Sequence, residues 1–443
     1  MCPSASKLLR VWLVVSAPRY GGTGAVFACS LEDLQCNPIV ISNLTVEQER
    51  DILKDDAWIG SAVDVQRSGK GIVVCGSLLS SNHSHNNRWV NGGCYWKPDA
   101  DAERADLLVP LTDGDHLGHS VSGSSTHAYY ANGQAGVSVL ITQEGQELVI
   151  GAPGFDLSVG TILRYRIDEN GNLDDGIIAG IQPCQEKGIL GNEYGGYAVA
   201  SGRFMCGSSI VYAVGAPRAA MYRGQVWLAA EGPLDVETGV SYSRLAGPNL
   251  RSPAVTLEGD GAPRSQFGTS VAAVGDIDGD GFQDVAVGAP YGDQGGSVFV
   301  YLGSGDARRM GRLLGPQRLP SSGHPAATQP GFGISVAGGV DVDGNGYVDV
   351  VVGSYMEGRA RVFLARPTVS LVASVTGPES LRLADRRTNI TACLTYTSHR
   401  FQDDVEATMV FSGDGSADSR PVTISKGKTH CENVTWTIKA STF

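Results

Sequence analysis

Short apolar runs alternate with polar residues along most of this chain, and the runs come in pairs joined by a turn. Two stretches show it best. Phe267 to Tyr291 reads FGTSVAAVGDIDGDGFQDVAVGAPY, and Phe332 to Met356 reads FGISVAGGVDVDGNGYVDVVVGSYM. Both hold Phe-Gly, an alternating run, an acidic loop, a second apolar run and Val-Gly. A period of two turns every second side chain to one face, so each stretch predicts strand, turn and strand. Weaker copies lie at Gly195 to Pro217, Ala135 to Pro153 and Ile59 to Ser77, and Val14 to Pro18 reads as the tail of a copy without its front. A lone hairpin is marginal in water. The spacing leaves room for two more strands per copy, which predicts four-stranded blades set round an axis as a propeller. An open sandwich or a string of small domains fits less well, because the copies follow one another without linkers.

After Arg366-Pro367 the pattern changes. Val369 to Val372 and Val405 to Phe411 still alternate, but no Phe-Gly box appears, and Cys393 and Cys431 are suited to staple two strands of a sandwich. The chain stops at Thr442-Phe443 with no closing element, so this second domain reads as partial. The expected fold is all-β: a propeller over residues 1–366, with about six recognisable blades and the first incomplete, then a partial β-sandwich over 367–443.

Composition sharpens this picture. The 443 residues are too many for one ordinary core, and 59 glycines suit a fold rich in tight turns. A net charge of −12 disfavours nucleic acid, which needs a basic patch, and suits cation binding. Nine cysteines without a C-x-x-C spacing, together with sequons at Asn43, Asn82, Asn389 and Asn433, favour an oxidising, secretory compartment. Cys2, before any clear element, is the expected odd thiol. The apolar run Val11 to Val15 is too short for a signal peptide and reads as a strand. No run is long enough to span a membrane.

The acidic loops carry the chemistry. Asp276, Asp278, Asp280 and Asp284 stand at loop positions 1, 3, 5 and 9, and Asp341, Asp343, Asn345 and Asp349 repeat the spacing. Alternate residues of a tight loop turn inward and can surround one hard cation. The carbonyls of Phe282 and Tyr347, at position 7, supply a further oxygen, and Gly281 and Gly346 permit the sharp turn. An all-oxygen, carboxylate-rich set indicates Ca2+, at two sites. Position 12 is Val287 or Val352, not the bidentate Glu of an EF-hand, and a strand follows, so the ion would sit in a β-hairpin turn. Four carboxylates against three and an amide predict tighter binding at the first loop. In the copy at 195–217, Arg203, Met205, Gly207 and Val211 replace the acids, so no metal is expected there.

These boxes resemble the FG-GAP repeats of integrin alpha subunits, over most of the chain. The run from Phe332 through Arg366-Pro367 resembles the last blade and its exit into the first leg domain, the thigh. The resemblance implies disulfides Cys29–Cys36, Cys75–Cys94 and Cys393–Cys431, leaving Cys2, Cys184 and Cys206 unassigned. It also implies a propeller of seven blades and an immunoglobulin-like thigh. The implied role is cell-matrix or cell-cell adhesion and signalling, as a heterodimer with an integrin beta subunit that binds matrix or cell-surface proteins. The implied location is the extracellular side of the plasma membrane, the complete family member being a type I membrane protein. The departures are six copies instead of seven, two acidic loops where three or four are usual, and no leader. One blade is missing between Pro217 and Phe267, so the chain reads as truncated, spliced or a faulty gene model. No inserted I domain fits between the second and third copies, so ligand would be bound jointly with the beta subunit. Phe155 and Asp156, on an early-blade loop, are the candidate ligand contacts, against a competing reading as ordinary loop residues. Gly191 and Asn192 fill a place that is acidic in Arg-Gly-Asp-binding members. The alternatives are a phospholipase-like enzyme with a propeller tail and a carbohydrate-binding lectin. The repeats leave no room for a catalytic domain, no G-x-S-x-G element appears, and His83, His85, His116 and His119 sit in polar loops better read as solvated than as zinc ligands.

Overall fold

Every copy of the repeat folds as an antiparallel hairpin. The computed structural model describes residues 12–30, 35–41, 52–84, 87–98, 105–111, 119–122, 125–128, 132–174, 177–178, 192–205, 210–230, 255–305, 310, 315–321, 331–366, 369–378, 387–398, 403–413 and 416–437. Strands dominate, and two compact units emerge. One comprises residues 1–275, 282–339 and 350–363, and the other residues 276–281, 340–349 and 364–443.

The first unit is a β-propeller with six blade sheets in chain order. The first blade joins Trp12–Ala17, Ala25–Ser30 and Cys36–Pro38. The second joins Ile59–Val65, Ile72–Gly76, Gly93–Lys97 and Asp106–Leu108. The third is Ser138–Ile141, Glu147–Ala152, Thr161–Arg166 and Ile177–Ile178, and the fourth Ala198–Gly202, Val211–Ala216, Gln225–Ala230 and Val255–Leu257. The fifth is Ser270–Gly275, Asp284–Ala289, Ser297–Tyr301 and Gln317–Pro320. The sixth has three strands, Phe332–Val340, Asp349–Ser354 and Arg359–Phe363. The N-terminal apolar run is the strand expected of it. Among the described residues no helix is long and apolar enough to cross a membrane.

Blades pack face to face, which explains the two kinds of apolar run. The second strand of a blade, such as Val211–Ala216 or Asp284–Ala289, is buried along its whole length and reads as continuous apolar sequence. Core clusters mix neighbouring blades. Val211, Ala213, Val226 and Leu228 of the fourth meet Phe267, Val285, Val287 and Phe299 of the fifth. Val73 and Trp96 of the second likewise meet Leu148, Ile150 and Leu163 of the third. On the first blade Leu13 and Val15 are exposed, and on the sixth Val340 and Val362.

The glycines of the repeat answer to these junctions. A parallel bridge joins a glycine of each of the first five blades to the next box: Gly24, before the second strand of the first blade, to Ile59, and, before the third strand of the others, Gly92 to Ala135, Gly160 to Gly195, Gly224 to Phe267 and Gly296 to Phe332. At Gly224 φ is +84°, and a Cβ would stand 2.0 Å from the Phe267 carbonyl oxygen. The glycine of Val-Gly serves the same contact, since a Cβ at Gly288 would lie 1.9 Å from the Gly333 oxygen. Gly224→Ala is therefore expected to cost about 2–3 kcal/mol, from the left-handed backbone and the displaced carbonyl together. Urea unfolding reads this, and a cost under ~0.5 kcal/mol would contradict it.

In the second unit Ser370–Thr376, Arg387–Thr397 and Thr429–Thr437 form one sheet, and Val405–Gly413 pairs with Ser416–Ile424. Ala392 and Tyr396 of the sheet share a core with Met409, Val422 and Ile424 of the hairpin. All three implied disulfides are present: Cys29–Cys36, Cys75–Cys94 and Cys393–Cys431. Each joins residues directly opposite on paired strands. Cys2, Cys184, Cys206, Asn43, Gly191 and His116 lie outside the described residues.

Candidate metal centres

The two acidic turns fold alike because the same residues feed the same backbone donors. In the first, Asp276 Oδ1 accepts from the N–H groups of Gly279 (2.6 Å) and Asp280 (3.0 Å), and Oδ2 accepts from Gly281 (3.0 Å). In the second, Asp341 accepts in the same way from Gly344 (2.7 Å), Asn345 (3.1 Å) and Gly346 (2.7 Å). These donors lie at positions 4 to 6, and the glycines there take positive φ: Gly281 at +96° and Gly346 at +89°. The position 1 carboxylate thus organises its own loop.

Position 9 anchors the turn to the blade. Asp284 and Asp349 are buried, at 0% and 1% exposure. Asp284 Oδ1 accepts from Gly303 N–H at 2.7 Å, and Asp349 Oδ1 from Ala365 N–H at 2.8 Å. Asp349 Oδ2 also accepts from Val342 N–H at 2.7 Å. Both carboxylates therefore tie the hairpin to chain just beyond the third strand.

Asp276, Asp278 and Asp284 bring oxygens within 4.8 Å of one another, and so do Asp341, Asp343 and Asp349. Burial, with Asp280 and Asp276 close by, pushes the Asp278 carboxyl up to about 6. Negative charge gathered in this way is relieved by a divalent cation, so the donor set fits one. The second turn differs. The Gly346 N–H, helped by Gly344, Asn345 and Asp343, holds Asp341 below the usual carboxylate range.

The other expected ligands are not among those clustered carboxylate oxygens. Asp280 is exposed and outside the first cluster. Asn345 donates to Asp343 Oδ2 (3.1 Å) and to the Ala365 carbonyl (2.9 Å), while its Oδ1 accepts from Tyr347 N–H (2.8 Å). Phe282 and Tyr347 hold position 7, with the Phe282 ring against Gly305 and the Tyr347 side chain 4% exposed.

Sequence reasoning missed Gln283. Its backbone N–H donates to the Arg203 carbonyl (3.1 Å), its Oε1 accepts from Arg203 N–H (2.9 Å), and its Nε2 donates to Gln143 Oε1 (3.0 Å). The fifth-blade turn thereby holds the fourth-blade turn, where acids are lacking. The second-blade turn is held by side chains too: Asp64 Oδ2 accepts from Ile141 N–H (2.6 Å), and Gln66 Nε2 donates to the Gly145 carbonyl (2.9 Å). No sequence pattern signals these partners, because they lie on different blades.

At the opposite end of the blades, two loops hold three successive left-handed residues without glycine. These are Asp156, Leu157 and Ser158 (φ 47°, 57°, 70°) and Ala220, Met221 and Tyr222 (51°, 59°, 65°). Such backbone is strained, and strain of this kind gathers at functional loops. Phe155 and Asp156, the expected ligand contacts, are buried in this loop, at 6% and 2%. Leu157 and Met221 are the most exposed of their large apolar side chains, at 58% and 84%, and Tyr222 is exposed too. Tyr291 stands close to Tyr355 and Tyr197, and all three are exposed. Asn192 is engaged internally, accepting from Arg218 at 2.8 Å, while the guanidinium lies 3.5 Å over Tyr194.

The FG-GAP repeat model matches residues 267–301 and 332–364, the two blades with acidic turns. Integrin alpha-PS3 of Drosophila melanogaster is 25% identical over 86% of this chain and 42% of its own length. Integrin alpha-7 of Rattus norvegicus is 27% identical over 92% and 41%, and Integrin alpha-6 of Gallus gallus 27% over 87% and 42%. The repeats and these relatives together support reading the chain as an integrin alpha subunit. It spans roughly two fifths of the length of these integrin relatives. The likeness to integrin alpha subunits supports a non-enzymatic reading. Among solved structures, prolyl oligopeptidase B from Galerina marginata aligns over 84% of this chain and 43% of its own, at 9% identity and a TM-score of 0.32, too low to indicate a shared fold.

Proposed function

We propose that this integrin alpha chain is a calcium-braced adhesion head that works as a heterodimer with an integrin beta subunit on the extracellular side of the plasma membrane. The observation that carries the calcium reading is the pair of like-built turns, each converging three carboxylates around one point. Asp276, Asp278 and Asp284 would hold one ion, and Asp341, Asp343 and Asp349 the other. The Phe282 and Tyr347 carbonyls, with Asp280 and Asn345, are the remaining oxygens of the proposed sets. Oxygen-only, flexible sites select Ca2+, with dissociation constants of about 10⁻⁴ to 10⁻³ M in extracellular modules. The first turn should bind more tightly by roughly 3- to 10-fold, since it offers one more carboxylate. Calcium titration of Asp278→Ala and Asp343→Ala, each leaving one site, gives the order, and a weaker first turn would reverse this expectation.

The beta subunit and the ligand are proposed to meet the end of the blades opposite the acidic turns. Exposed tyrosines and Leu157 and Met221 on strained loops suit an interface there. Three disulfides support an oxidising compartment. Residues 1–366 are proposed as the head and 367–443 as part of a thigh-like domain. Co-expression with candidate beta subunits followed by pulldown tests the role. Capture by at least one is expected, and failure with all would leave the fold but remove the adhesive function.

A further inference from the structure

The second unit brings two sequons face to face. Asn389-Ile390-Thr391 and Asn433-Val434-Thr435 lie far apart in sequence, yet their strands pair with Asn389 opposite Thr435 and Thr391 opposite Asn433. Period two puts all four side chains on one face of the sheet. Each threonine hydroxyl donates to the other sequon's asparagine: Thr391 to Asn433 Oδ1 at 2.7 Å, and Thr435 to Asn389 Oδ1 at 2.9 Å. Both asparagines are exposed. Among the described residues neither Nδ2 meets a protein acceptor. The carboxamides are thus held by their oxygens, and the nitrogens are left toward solvent. One step along the same face, the Cys393–Cys431 disulfide pins the register. Ala392 and Tyr396 point to the core on the other side.

We propose that Asn389 and Asn433 form a paired N-glycosylation site, with both modified on the same molecule, so that this sheet face is covered by sugar and not by protein. The proposal rests on the extracellular reading above. The donor is a lipid-linked pyrophosphoryl oligosaccharide. The Asn Nδ2–C1 bond forms, the bond from C1 to the pyrophosphate oxygen breaks, Nδ2 gives up one proton, and the lipid pyrophosphate departs. Transfer precedes folding, when both strands are extended and unpaired. After folding, the attached sugar leaves Oδ1 free to keep its bond from the opposing threonine, so modification and sheet pairing are compatible. The two asparagines are diagonal neighbours, with Cα atoms about 7–8 Å apart, so their glycans rise side by side.

The test uses the full chain secreted from animal cells. Intact mass is measured after an endoglycosidase trims each glycan to one residue, and glycopeptides map the sites. Most molecules are expected to carry both modifications, with Asn389→Gln and Asn433→Gln each removing one. Mapping of the unaltered chain answers the question even if a variant is not secreted. A chain modified at Asn43 or Asn82, but bare at either member of the pair, overturns the pairing and leaves the extracellular reading intact. So do molecules modified at one or the other but never both. Bare asparagine at all four positions overturns both.

Discussion

Glu147→Ala is expected to destabilise the propeller by about 3–5 kcal/mol, the largest effect of any single change considered. Arg164, 4% exposed, donates to one Glu147 oxygen at 2.5 Å. The other oxygen accepts from the hydroxyl of Tyr212, which is fully buried on the fourth blade. The guanidinium carbon also lies 4.9 Å from the centroid of that tyrosine ring. The pair therefore sits at the junction of two blades and largely out of water, the Arg164 and Glu147 side chains being 5% and 13% exposed. Removing the carboxylate takes the counter-charge from a buried cation, and that term outweighs the small apolar area lost. An exposed pair would contribute only about 0–1 kcal/mol. Replacing both charges by methionine should recover most of the loss, because the desolvation cost of two ions goes with them. Urea unfolding at fixed calcium measures both variants. A cost for Glu147→Ala under ~1 kcal/mol would show that the pair is effectively solvated.

Asp284→Ala is the second large effect, and its comparison with Asp280→Ala separates two roles. At ~1 mM Ca2+ and a dissociation constant of 10⁻⁴ to 10⁻³ M, one bound ion stabilises by about 0.4–1.4 kcal/mol. The charge-assisted bond from Gly303 N–H to the buried Asp284 is a separate contribution of about 1.5–3 kcal/mol. Asp284→Ala should thus lose ~2–4 kcal/mol in calcium and remain destabilised in chelator. Asp280→Ala, at an exposed loop position, should lose only the calcium share and match the unaltered chain in chelator. Thermal melts with and without EDTA decide the matter. If the two variants behave alike in EDTA, position 9 is a ligand and not an anchor.

The acidic turns were readable because everything that shapes them is local. Position 1 carboxylates, position 6 glycines and the following apolar run lie within a dozen residues, so spacing alone states the geometry. Not every contact there is local: Asp280 lies outside the carboxylate cluster, and the Asn345 amide donates to the Ala365 carbonyl, which no local pattern reveals. Phe155 and Asp156 are candidate ligand contacts through resemblance alone. The left-handed run Asp156 to Ser158, which no local pattern signals, leaves both buried and presents Leu157.

By itself, the sequence determined the hairpins, the blade repeat, the two carboxylate turns, the glycine positions and, through resemblance, the three disulfides. All but the disulfides depend on side-chain period, backbone φ or a spacing of a few residues. Tertiary structure decided which blades meet, and so that Glu147 and Arg164 reach Tyr212, that Gln283 holds Arg203, and that Asn389 faces Thr435. Those partners lie 17 to 80 residues apart. Their contacts are fixed by strand register and blade packing, which depend on the whole set of buried faces fitting at once.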